Sequence, residues 1–96
     1  MNVQEISIVV DEGARSQAVS ISSTSAQSAV IKTESVIATP TVDVFVRQGA
    51  NPTALSDGTD ILLLASTTYR LAVKPGNKLA FKTASASGIV YLTPGA

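Results

Sequence analysis

Two short stretches bring acidic side chains close enough together to do chemistry. Asp57-Gly58-Thr59-Asp60 sets two carboxylates around a glycine, and Asp11-Glu12-Gly13 sets two side by side. The first resembles a fragment of a calcium loop. A calcium loop needs about six oxygen ligands and usually a bidentate acid near its end. Asp60 is the last acid in the chain, so that closing ligand is missing. Both stretches therefore read as Asp-rich turns. Paired carboxylates of the glycosidase kind need two acids converging on a cleft, and a 96-residue sandwich has little room for one. Serine and threonine are plentiful, but a nucleophilic serine needs a base beside it. The chain has no His and no Cys. That removes the commonest general base, the thiolate and the commonest metal ligands together. Lysine is the only base left, and no lysine sits in a recognisable motif. The expectation is a protein that is not an enzyme and has no cofactor and no metal site.

The elements around these residues are short and alternate at a period of two, which places side chains on opposite faces of a strand. Val3–Val10 and Gln17–Ser22 read as strands, with Val19 and Ile21 on one face of the second. Ser22–Ser28 reads as a linker or as a polar turn feeding a strand at Ala29–Thr33. Glu34–Thr39 is ambiguous, and Pro40 suits a strand start or an edge. Thr41–Arg47 puts Val42, Val44 and Val46 inward and Phe45 outward. Gln48–Asp60, with its Gly, Pro, Asn and Asp residues, reads as a long loop. Tyr69/Leu71/Val73, Leu79/Phe81/Thr83 and Ile89/Tyr91/Thr93 then read as the inward sets of a C-terminal β-meander, with Pro75-Gly76-Asn77 as its first turn. No window holds a helical apolar stripe. About eight short strands at this spacing predict one all-β domain over residues 1–96, a β-sandwich of the jelly-roll-like or immunoglobulin-like kind. Residues 1–20 read as an extended arm or edge strand.

Composition adds three bounds. Hydrophobic residues make up 45% but aromatic residues only 4%, with no Trp, so the core must be aliphatic. No apolar run approaches the roughly 20 residues of a membrane span, and the first residues lack a basic-then-apolar signal pattern. The expectation is a chain made and used without crossing a membrane. Net charge is zero, yet every acid lies before Ile61, and Arg70, Lys74, Lys78 and Lys82 follow it unbalanced.

Those four cations are the first candidate contact residues. On a hairpin turning at Gly76 they face outward, with Lys74 opposite Lys78 and Arg70 opposite Lys82. Opposed like charges cost a few tenths of a kcal/mol (about 0.2–1 per pair). The face is then either a solvated, edge-protecting surface or a contact for an acidic partner surface. Nucleic acid is not expected, since Tyr69 and Phe81 are assigned to the core and leave no stacking platform. The second candidate is Ile61, Leu62, Leu63 and Leu64, a continuous apolar run. It is either a strand enclosed in the sandwich or a subunit–subunit contact.

From Val42 onward the order of features resembles small virion structural proteins of tailed bacteriophages. The features are the strand VDVFVRQG closed by Gly49, the loop ANPTALSDGTDILLLA, the strand ending VKPGNKLAF, the turn at Gly88 and the terminal strand VYLTP. With the upstream STSAQSAVI segment the resemblance covers about the last 75 residues. It implies a capsid decoration (cement) protein on the outer capsid surface, made in the host cytoplasm. The implied partner is the major capsid protein or another virion protein, with the chain itself a trimer or dimer. Segment 1–10, loop 48–60 and the basic face of 69–82 are the candidate contact elements. A tail, fibre or head–tail connector component is the first alternative, and a surface glycan-binding sandwich module is the second.

Overall fold

A computed structural model describes residues 16–94, so the strand expected at Val3–Val10, the turn at 11–13 and most of the arm 1–20 lie outside the described residues. Eight strands follow in order: β1 (Gln17–Ile21), β2 (Ala26–Gln27), β3 (Ser35–Pro40), β4 (Val44–Gly49), β5 (Ile61–Leu63), β6 (Tyr69–Ala72), β7 (Lys78–Lys82) and β8 (Gly88–Pro94). They form two four-stranded antiparallel sheets, β1-β8-β3-β6 and β2-β7-β4-β5. This is the expected small all-β sandwich. First pairs with last, second with seventh, third with sixth and fourth with fifth. That nested pairing is the strand order of a jelly roll, the first of the two sandwich types expected.

The order corrects the C-terminal meander. β6 lies at the edge of one sheet against β3, β7 lies inside the other between β2 and β4, and β8 lies between β1 and β3. Among the described strands only β4 and β5 are neighbours in both sequence and sheet; every other connection between them crosses between sheets. Pro75-Gly76-Asn77 is therefore an arch and not a hairpin turn. Gly76 takes φ +97°, a conformation that favours glycine. The Asn77 N–H donates to the Lys74 carbonyl at 3.0 Å to close the bend. Segment 28–34, expected to hold a strand at Ala29–Thr33, has none. It laces the arch instead: the Ile31 N–H donates to Asn77 O, the Gly76 N–H to Ile31 O and the Val73 N–H to Glu34 O.

Between the sheets lie Val19, Ile21, Val36, Ala38, Val44, Val46, Leu63, Leu79, Val90 and Leu92, with Phe81 fully buried among them. The core is aliphatic around one aromatic ring. The inward sets of β1, β4 and β7 are those the alternation gives. In β8 the period holds but the phase is reversed: Val90 and Leu92 are buried, and Tyr91 is half exposed. A Tyr hydroxyl needs water or a partner, whereas Val and Leu need neither. The more aliphatic set takes the core.

Candidate functional site

The two acidic positions of loop 50–60 serve the loop's own backbone. The Asp57 carboxylate accepts from the Thr59 N–H at 3.0 Å and the Thr59 hydroxyl at 2.6 Å. These bonds hold its pKa below the ordinary aspartate value, the hydroxyl being the larger cause. Asp60 faces Arg47 across the β4–β5 register, its Oδ1 2.7 Å from the guanidinium Nε. Its Oδ2 accepts the Leu55 N–H at 2.6 Å. Asp43 likewise caps the Ala65 N–H at 2.8 Å. Among the described residues no three acids converge as metal ligands. The 57–60 stretch is a turn.

The loop reaches well beyond its own hairpin. Gln27 on β2 donates from Nε2 to Asn51 Oδ1 at 2.8 Å and to the Pro52 carbonyl at 2.7 Å. The Ala54 N–H donates to Ser25 Oγ at 2.9 Å. The loop thus runs from β4 to β2 and back to β5, and Pro52 and Ala54 are buried beneath it along with Ala80 of β7.

The four late cations do not form one face. Arg70 lies on β6 at the edge of the first sheet, where it pairs with Ile37. Lys78 and Lys82 lie on β7 inside the second sheet, opposite Gly49 and Phe45. Lys74 lies in the arch between them. The pairing Arg70–Lys82 does not occur, because β6 and β7 belong to different sheets, and Lys74 lies in the arch and on no strand that could pair with Lys78. The four residues are surface charges at separate places.

The apolar run Ile61–Leu64 behaves differently. Among the described strands β5 is the outer one of its sheet and pairs only with β4. Leu63 points into the core at 2% exposure. Ile61 is 70% exposed, Leu62 44% and Leu64 52%. Enclosure within the sandwich is excluded for three of the four residues. The other outer strands are protected. β2 is two residues long and tied to loop 50–60. Gln17 of β1 accepts the Ala29 N–H through Oε1 at 2.9 Å. β6 carries the cation Arg70. Edge strands are normally kept from pairing by such charges, coverings or shortness. β5 is short, but among the described residues it carries no charge, and its Ile61 and Leu62 are left exposed.

Beside β5 the sandwich opens. A cleft of about 460 Å³ runs between β5 and β6, floored by Val46, Leu71 and Leu79, with Ile61 and Arg70 at its mouth. Gln48, in its lining, accepts from the Lys74 N–H at 3.1 Å and from Asn77 Nδ2 at 3.2 Å. Beyond β5, the Tyr69 hydroxyl accepts the Leu64 N–H at 2.9 Å. Alternation in the sequence missed one surface residue. Tyr91 stands on the outer face of the first sheet, with Ala18 and Thr39 at its register. The signal was present in the β8 sequence, since Val90 and Leu92 are the more apolar set.

Comparison with protein-family models, with curated proteins and with solved structures finds no match to this chain.

Proposed function

We propose that this chain is a non-catalytic structural protein of a tailed-phage virion, a decoration protein that seats on the outer capsid surface and clamps neighbouring subunits. One observation carries the reading. Ile61, Leu62 and Leu64 stand exposed at a sheet edge that no charge guards among the described residues, on a domain whose acids Asp43, Asp57 and Asp60 are committed to its own loops. A large exposed apolar strip marks a contact surface. The jelly-roll order supports the reading by analogy of fold, since viral capsid and lectin domains use it, although fold alone does not specify function. The mechanism is mass action. A protein that binds only the assembled shell stabilises it by RT ln(1 + [L]/Kd) per site.

The test is co-sedimentation with expanded capsids that lack the protein, together with capsid melting. Saturation at a fixed ratio to capsid subunits with a raised melting temperature is the expected result. No binding, with a ring or tube of the protein alone, replaces this reading with a tail or connector component.

Tyr91 supports a second reading. An aromatic ring 50% exposed on an open sheet face is the kind of platform that glycan binding uses, and neighbouring Thr39 supplies a hydroxyl. A glycan array tests it. Signal abolished by Tyr91→Ala would establish a surface glycan-binding module, and a blank array removes it.

A further inference from the structure

We infer that β5 is the contact between two copies of this chain, joined antiparallel about a twofold axis at Leu62. The inference rests on the proposed function only in taking the apolar edge as a contact surface; it commits to a second copy as the partner.

The geometry favours self-pairing. An isologous contact must be self-complementary, and β5 meets that condition. Rotation about Leu62 sets Ile61 opposite the second copy's Leu63 and Leu63 opposite its Ile61. Both pairs lie on the inner face of the sheet, so the 70% exposed Ile61 is brought to the edge of the second copy's core, beside its Leu63. On the outer face, Phe45 lies directly behind Leu62, with Lys82 beyond it. The twofold then generates a row of Phe45, Leu62, Leu62 and Phe45, apolar throughout, with the two Lys82 at its far ends. The next pair outward sets the exposed Leu64 opposite the second copy's Asp60, whose charge is already held by Arg47. Along the paired β5 strands themselves no unpaired charge is desolvated, so the usual penalty of a buried ion is avoided there. The two four-stranded sheets merge into one of eight.

Charge selects β5 over its neighbour at the same flank. Self-pairing of β6 would bring Arg70 of each copy toward the other, and like charges facing across strands are destabilising. The acidic partner needed to neutralise Arg70 is absent from β6, whose residues are Tyr69, Arg70, Leu71 and Ala72.

The flank is small. The described residues span 35 × 34 × 21 Å. One side of such a sandwich offers roughly 500–700 Å² per copy, below the ~800 Å² of a standard stable interface. A contact of that size is a weak, reversible one, and a Kd on the order of 10 μM is taken as the centre of the range to search.

Sedimentation velocity between 1 and 200 μM, both values set about a decade to either side of that Kd, provides the test. The wild-type chain should move from monomer to dimer across the range. Leu62→Lys places two like charges at the axis and should weaken dimerisation about 100-fold. Val30→Lys, an exposed apolar residue on another surface, should leave it unchanged. Circular dichroism of each variant separates loss of contact from loss of fold. Leu62→Cys supplies the direct geometric check in a chain with no cysteine of its own. Residues directly opposed across antiparallel strands sit about 4.5–5.5 Å apart at Cα, within disulfide range. Mild oxidation should cross-link Leu62→Cys rapidly and Val30→Cys slowly. A strictly monomeric protein at 200 μM, or equal cross-linking of both variants, would overturn the inference. A dimer that fails to bind capsids overturns the capsid reading and leaves the twofold intact. A monomer that binds capsids does the reverse.

Discussion

Asp60 fastens both ends of the loop between β4 and β5. Its side chain is 5% exposed and serves the Arg47 guanidinium and the Leu55 N–H with separate oxygens. Asp60→Ala leaves a donor unsatisfied at each, and should lower stability by about 1–3 kcal/mol in urea unfolding. Asp57 acts on a smaller scale and titrates. Its folded pKa lies below the unfolded value near 3.9, so the contact with Thr59 is fully present above that value and is lost as pH falls through the lower folded one. The residue-59 amide resonance should titrate with a midpoint below about 3.9; Thr59→Ala, which keeps the amide hydrogen bond and loses the hydroxyl one, should move that midpoint upward, and Asp57→Asn should abolish the titration, both followed by NMR. The sequence made this turn legible through its Asx pattern. It did not show that Asp60 would meet Arg47, thirteen residues earlier, because that pairing depends on the β4–β5 register.

Single elements were legible where one face outcompetes the other. β4 and β7 have Val/Val and Leu/Phe on one side against Phe/Arg and Lys/Ala/Lys on the other, so period and phase both follow from the residues. In β8 both faces carry an apolar residue, and the phase depends on the Tyr hydroxyl. Pairing was less legible. Val73–Asn77 suits a hairpin or an arch equally well by length and turn chemistry. The like charges that a hairpin would have opposed, Arg70 with Lys82 and Lys74 with Lys78, were the sign that the strands part into different sheets. The glycine at the start of β8 tests the element-scale account. A Cβ on Gly88 would stand 2.5 Å from Thr41 Oγ1 and 2.9 Å from Val42 Cγ2. Thr41 cannot give way freely, since its hydroxyl accepts the Ile89 N–H and its own N–H donates to Ile89 O. Gly88→Ala should cost about 1–3 kcal/mol by overpacking. Gly76→Ala, at φ +97° but in open space, should cost about 1 kcal/mol from backbone strain alone. Thermal melts of the two variants compare the causes directly.

At the scale of the molecule, one fully buried aromatic ring centres an aliphatic core. Phe81→Ala should cost about 3–5 kcal/mol, against a total near 5–15 kcal/mol for a domain, and the variant's melting transition should fall sharply or vanish. A core this thin leaves apolar residues over: Val30, Leu55 and Tyr91 stand apart, and Ile61, Leu62 and Leu64 stand together at one edge. Under the proposed function this edge is a contact surface. Amide hydrogen exchange at Ile61–Leu64 tests it most directly, measured in dilute protein, in concentrated protein and in protein mixed with capsids. Protection of this strand that rises on concentration or on capsid binding, while β7 stays equally protected throughout, is the predicted result. Exchange at Ile61–Leu64 that is the same in all three samples would contradict the claim.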